Sequence, residues 1–141
     1  MNPWKDMKVK MVVPPQEVDD TGAEGIIDTF GFEYAVIDVY LGAAQKTNPL
    51  TELKILEANA LDTGSLPGTA EVVANGAASE GAGVTFLFPA IGDDGVAGQV
   101  IRFRLPIKGK RKRYLGVSVK STTDRAVCIA ATLCESLWGV G

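Results

Sequence analysis

Residues 32–41 alternate with a period of two: Ala35, Ile37, Val39 and Leu41 fall on one side, Tyr34, Val36, Asp38 and Tyr40 on the other. That period belongs to an extended strand, whereas a helix would scatter the same side chains around its surface. The alternation recurs. Ile101, Phe103, Leu105 and Ile107 oppose Val100, Arg102 and Arg104; Leu115, Val117 and Val119 oppose Tyr114, Ser118 and Lys120; and Val127, Ile129, Ala131 and Leu133 form a last apolar row. Residues 84–88 add a compact apolar run that Pro89 closes, with the turn Gly92-Asp93-Asp94-Gly95 beyond it. Sixteen glycines and seven prolines separate these runs, as expected of many turns and few long helices.

Two stretches are less decided. In residues 50–60, Leu53 and Ile55 alternate like a strand, while Leu50, Leu53, Leu56 and Ala60 also satisfy a helical spacing. Residues 62–83 are rich in Gly, Ala, Ser and Thr, with a turn at Leu66-Pro67-Gly68 and only Glu71-Val72-Val73 resembling a short edge strand. Six or seven short strands punctuated in this way predict an all-β, antiparallel β-sandwich, jelly-roll-like or Ig-like. Residues 1–22 read as an extended N-terminal arm and 23–141 as a single sandwich domain. In the arm Lys5, Lys8 and Lys10 alternate with Val9, Met11 and Val13 before Pro14-Pro15, and Trp4, Met7 and Met11 also fit a short helical stripe.

At 141 residues the chain can bury roughly two-thirds of the surface its unfolded form exposes, so the fold needs no staple. Cys128 and Cys134, six strand steps or roughly 20 Å apart, are too distant to bridge and read as small hydrophobes. The absence of histidine removes Ser-His-Asp and Cys-His chemistry, the commonest general base and the usual nitrogen ligands of transition metals. The carboxylate pairs Glu33/Asp38 and Glu57/Asp62 have nothing to fix them across a cleft, Asp93-Asp94 reads as a polar turn, and residues 76–83 lack a nucleotide-binding glycine pattern. The expectation is no enzyme, no catalytic residue, no cofactor and no metal. No apolar run is long enough to span a bilayer and the start lacks a signal-peptide core, so a cytosolic product without a membrane partner is expected.

The net charge of -3 is unevenly spread: residues 16–94 hold fourteen acids and two bases, residues 102–125 nine bases and one acid. The connector Lys108-Gly109-Lys110-Arg111-Lys112 reads as a hairpin loop that concentrates charge with Arg113, while Arg102, Arg104 and Lys120 decorate the adjoining strands. Such a loop could grip phosphate or carboxylate, including the acidic half of a neighbouring copy. Nucleic-acid binding through residues 108–113 would call for exposed aromatics nearby and a basic domain; only Tyr114 is adjacent, and the sequence pI is near 4.9.

Taken in order, residues 31–37 (GFEYAVI), 50–57 (LTELKILE), Asp93-Asp94-Gly95 and 111–117 (RKRYLGV) resemble the capsid decoration, or cement, proteins of tailed bacteriophages. The resemblance covers about residues 30–134. It implies a β-sandwich made in the host bacterial cytoplasm that binds the outside of an assembled shell, as a homodimer or homotrimer, and braces adjacent capsomers. It also implies a strand at residues 50–57. The major capsid protein is then the expected partner, touched through Trp4, Met7 and Met11 of the arm and through Arg102, Arg104, Lys108, Lys110, Arg111, Lys112 and Arg113. The long arm, the Gly/Ala-rich segment and the two cysteines depart from the family pattern. The competing reading from the residues is a sugar-binding β-sandwich module with Tyr34 and Tyr40 as an aromatic platform.

Overall fold

The computed structural model describes residues 7–42, 50–75, 84–85, 99–121 and 125–135. The readings that fall on Trp4, residues 76–83, residues 86–98 with the Asp93-Asp94 turn, and residues 136–141 lie outside the described residues. Among the described residues there are nine strands and no helix: β1 Met7–Val18, β2 Ala23–Asp28, β3 Tyr34–Leu41, β4 Leu50–Ala58, β5 Glu71–Asn75, β6 Val84–Thr85, β7 Gln99–Pro106, β8 Tyr114–Ser121 and β9 Arg125–Cys134.

They form two sheets, one ordered β1-β9-β3-β7 and the other β2-β8-β4-β5-β6. All pairings are antiparallel except the two-residue match of β6 to β5. From β1 to β4, and again from β7 to β9, each strand is followed by one in the opposite sheet. With four strands in each sheet before β6 is added, this is a jelly-roll sandwich rather than an Ig-like one. The alternating apolar residues meet between the sheets. Ala35, Ile37, Val39 and Leu41 from β3, Leu115, Val117 and Val119 from β8, and Val127, Ile129, Ala131 and Leu133 from β9 are buried, together with Leu53 and Ile55 from β4. Burial of that order supplies the main favourable term for a domain of this size.

Residues 50–58 are a strand, because β8 and β5 flank them with ladder partners and both faces of the extended form are used. The Glu71-Val72-Val73 strand forms but is not the sheet's edge, since β6 lies beyond it.

One topological expectation is overturned. β7 and β8 do not form a hairpin: β7 pairs with β3, whereas β8 pairs with β2 and β4. Each strand has one apolar row, and two such strands can lie side by side or face each other across the core. A five-residue connector spans either gap, about 4.8 Å between paired strands or about 10 Å between stacked sheets, so loop length cannot choose. Here the connector turns at Gly109, whose φ is +70°, with Lys110 N and Arg111 N both donating to Ile107 O, and carries the chain from one sheet to the other.

From Met7 to Val18 the segment read as an arm is extended and built into the sandwich as the edge strand beside β9. A helical stripe through Met7 and Met11 is therefore excluded. The β1 ladder with β9 is interrupted by register shifts between Met11 and Val13 and between Val13 and Gln16. Val12, Val13 and Val18 enter the core, and Lys8 and Lys10 lie on its inward row at the edge, where Lys10 Nζ donates to the Ile26 carbonyl of β2 at 2.8 Å. Inward-pointing charge of this kind blunts an exposed sheet edge against unwanted strand addition.

Candidate functional site

The outer face of the first sheet is where the sequence pattern departs from a solvated strand surface. Register partners run in rows across it: Met7-Cys134-Tyr34-Pro106, Val9-Thr132-Val36-Arg104, Met11-Ala130-Asp38-Arg102, and Cys128-Tyr40-Val100. Val9, Met11, Tyr34, Tyr40 and Val100 have between 44% and 70% of their surface exposed, and every large exposed hydrophobic among the described residues except Phe30 belongs to this face. Scattered exposed apolar side chains are ordinary; a set gathered on one flat sheet face is the pattern that marks an interaction surface.

Its polar centre is one ion pair. Asp38 is 8% exposed although it points outward, because Arg102 lies over it, donating from Nε to Oδ1 at 2.6 Å and from Nη2 to Oδ2 at 3.2 Å. The two-pronged geometry fixes the guanidinium on the Asp38 carboxylate, and the hydrogen bond to Asp38 raises the Arg102 pKa further. Arg104, in the next row, is exposed at the β7 edge and makes no ion pair among the described residues. At one end of the face a shallow groove of about 420 Å³ opens between Pro15, Tyr40 and Cys128, and the Cys128 thiol lies 3.5 Å from the Met11 sulfur.

The basic loop has a different character. Lys108 pairs with Glu33 at 3.2 Å, Arg111 with Glu57 at 3.8 Å, Lys112 with Glu71 at 3.0 Å and Arg113 with Asp28 at 2.9 Å. Glu57 also accepts a hydrogen bond from Lys112 N at 3.0 Å. Arg113 is held between the rings of Phe30 and Tyr114, 4.9 Å from each centroid, which accounts for the exposed Phe30. The acidic first half and the basic later stretch therefore meet within one chain. The loop clasps one end of the sandwich, tied to β2, β4, β5 and the entry to β3. Of its five bases, only Lys110 makes no ion pair among the described residues. The sequence-derived contact set thus divides: Met7, Met11, Arg102 and Arg104 share the outer face, whereas Lys108, Lys110, Arg111, Lys112 and Arg113 belong to the clasp.

Two carboxyls have lowered pKa values, Asp28 in the clasp and Glu52 on β4, which pairs with Lys54 and Lys120 and accepts a hydrogen bond from Ser118. The side-chain hydrogen bond from Arg113 lowers Asp28. Burial pushes Glu52 up, but hydrogen bonds from Lys54 and Ser118 and the charges of Lys54 and Lys120 outweigh it and bring it below its usual value. A carboxyl lowered by folding stabilises the fold above its unfolded pKa, and that contribution is lost as pH falls through the folded one. Acid should therefore lower the urea midpoint below about pH 4, and the double variant D28N/E52Q should flatten that slope by up to about 1 kcal/mol per pair, the range of partly exposed ion pairs. Parallel slopes for the variant and the parent would contradict these assignments.

Sequence reasoning missed Val9, Val100 and the acids that tie down the loop. A signal for the first was present: on β3, Val36 and the two tyrosines make the outward row nearly as apolar as the inward one. The acids gave no local signal, since the ion pairs join residues 41 to 85 positions apart.

Among the described residues no three His, Cys, Asp or Glu side chains converge as a metal site would require. No family model matches the sequence, and no curated protein does. Among solved structures, one of infectious bursal disease virus, Gx strain, is similar over 92% of this chain and 32% of its own, with 8% identity and a TM-score of 0.42. A 4-O-methyl-alpha-glucuronidase with specificity for decorated arabinogalactans is similar over 96% of this chain and 17% of its own, with 10% identity and a TM-score of 0.40. The chain thus spans about a third and about a sixth of these two proteins. The strand order and the exposed side chains define a jelly-roll sandwich with a partly apolar outer face on its first sheet.

Proposed function

We propose that this protein is a structural component of a virus particle that binds the outside of a phage capsid through the outer face of its first sheet and steadies contacts between capsomers. It acts by adhesion, without catalysis or cofactor. The observation that carries the proposal is that Val9, Met11, Tyr34, Tyr40 and Val100 share one sheet face around the Asp38–Arg102 pair. The sequence resemblance supplies the kind of partner, and the jelly roll is compatible with it.

Four strands by about seven residues make a face of roughly 20 Å by 20 Å. That is less than the roughly 800 Å² per partner of a standard stable interface, so one copy would hold weakly. A shell offering many equivalent sites to linked copies converts weak contacts into avid binding. The exposed apolar side chains around the neutralised Asp38–Arg102 pair, with Arg104 as an exposed cation at the β7 edge, suit a protein surface that is largely apolar and bears a carboxylate.

Two other readings fare less well against the geometry. Most bases of residues 108–113 are engaged by the chain's own acids, which lowers their availability to nucleic acid. Tyr34 and Tyr40 share the exposed face but stand six residues, about 20 Å, apart on one strand, further than neighbouring sugars in a short glycan would bridge. The test is reconstitution: purified protein added to capsids lacking it should bind saturably and raise their resistance to heat and osmotic shock. Failure to bind, with no change in resistance, would remove the proposal.

A further inference from the structure

We infer that β1 is an exchangeable strand: the segment Met7–Val13 can leave its own β9 and pair with the β9 of a second copy, hinging at Pro14-Pro15. This inference goes beyond the docking proposal and stands or falls without it. Three observations carry it.

The first is where the ladder breaks. Val13 pairs with Ile129 and the next match is Gln16 with Val127, so Pro14 and Pro15 bulge against the single residue Cys128. Neither proline has an N–H to donate, and both favour an extended, non-returning chain. The bulge is thus a joint between the pairing of Met7–Val13, which carries a register shift of its own at Val12, and that of Gln16–Val18. Its far side, from Gln16 to Val18, stays anchored by pairing with Val127, Ala126 and Arg125 and by buried Val18.

The second is how little holds the near side. Lys8, Val9, Lys10 and Met11 are exposed, and only Val12 and Val13 are buried. Opening the segment uncovers Val12 and Val13 and the buried β9 partners Ile129, Ala131 and Leu133, and releases the Lys10 bond to the Ile26 carbonyl; the same segment of a second copy restores all of these.

The third is the specificity of the slot left behind. Val12 lies directly on Gly25, where even a Cβ would collide with the Val12 carbonyl oxygen and stand 2.5 Å from its Cγ1. Val13 sits opposite Ile129, and Met7, Lys8, Val9, Lys10 and Met11 match Cys134, Leu133, Thr132, Ala131 and Ala130. The occupant that fits this groove in register is the same segment, and a second copy presents it unchanged. Exchange keeps every cross-strand contact and makes it intermolecular, which is why it is a low-cost route to a dimer.

The test uses the full chain in a C128S/C134S background. Val9 and Thr132 are register partners on the outer face, so one preparation carries V9C and another T132C. Neither can form the Val9–Thr132 crosslink within itself. Mixed at about 10 µM, incubated and oxidised, they should yield disulfide-linked heterodimer, because exchange sets the two thiols opposite each other at an effective concentration on the order of millimolar, roughly a hundredfold above chance encounter. T51C, at an exposed position of the second sheet, mixed with V9C, provides the collisional rate. Heterodimer well above that control, reduced when Pro14 and Pro15 are both replaced by alanine, supports exchange. Heterodimer no more abundant than the control, with both preparations monomeric in sedimentation, overturns it.

Discussion

Valine in place of Gly25 is expected to spring the sandwich at its closed edge. Gly25 lies on the inward row of β2 beside Val117 of β8, and the Val12 backbone of β1 rests on it. The clash would be with main chain rather than with the far end of a flexible side chain, so β1 and β2 must separate. Overpacking of this kind typically costs about 1–3 kcal/mol, and loss of the Val12 contact adds to it. Against a net stability of about 5–15 kcal/mol for an ordinary domain this is a large share. Urea unfolding should show a lower midpoint with a similar slope, and amide exchange should speed up in residues 7–13 before it does in β3 or β8. A midpoint equal to that of the parent would show that β1 does not close on Gly25.

The second large effect concerns binding rather than folding. Replacing Met11 and Tyr40 by glutamate places two carboxylates on the outer face, at positions about half exposed. Surface substitutions of this sort usually change stability by less than about 0.5 kcal/mol each, so the fold should persist. In a dry interface each carboxylate would be buried without a partner, and leaving a buried charge unpaired costs about 3–5 kcal/mol. The concentration needed to half-saturate the capsid should rise roughly a hundredfold or more, while circular dichroism and the melting temperature stay near those of the parent. Unchanged half-saturation would remove this face from the proposed interface.

Much of this architecture was legible in the sequence because it rests on a local signal. Period-two rows at Ala35 to Leu41, Phe103 to Ile107 and Leu115 to Val119 specify both the strand and the side that is buried, and the structure keeps those assignments. Topology is not local. The turn after Ile107 looks alike whether the next strand lies beside β7 or across the core from it, and only the competing partners β3, β2 and β4 decide. The same limit hid the clasp: Asp28, Glu33, Glu57 and Glu71 are ordinary surface acids until the fold brings them to the basic loop. Conversely, reading residues 1–22 as an arm followed from its lysines and its diproline, and those features are real. They mark an edge strand that enters the core through Val12, Val13 and Val18.

The central claim is that the first sheet's outer face, and not the basic loop, meets the partner. Its most direct test is capsid binding by two variants compared at equal concentration. M11E/Y40E alters the face, and K110E reverses the one loop base that makes no ion pair among the described residues. M11E/Y40E should fail to bind while K110E binds like the parent. Binding by M11E/Y40E together with loss of binding by K110E would contradict it.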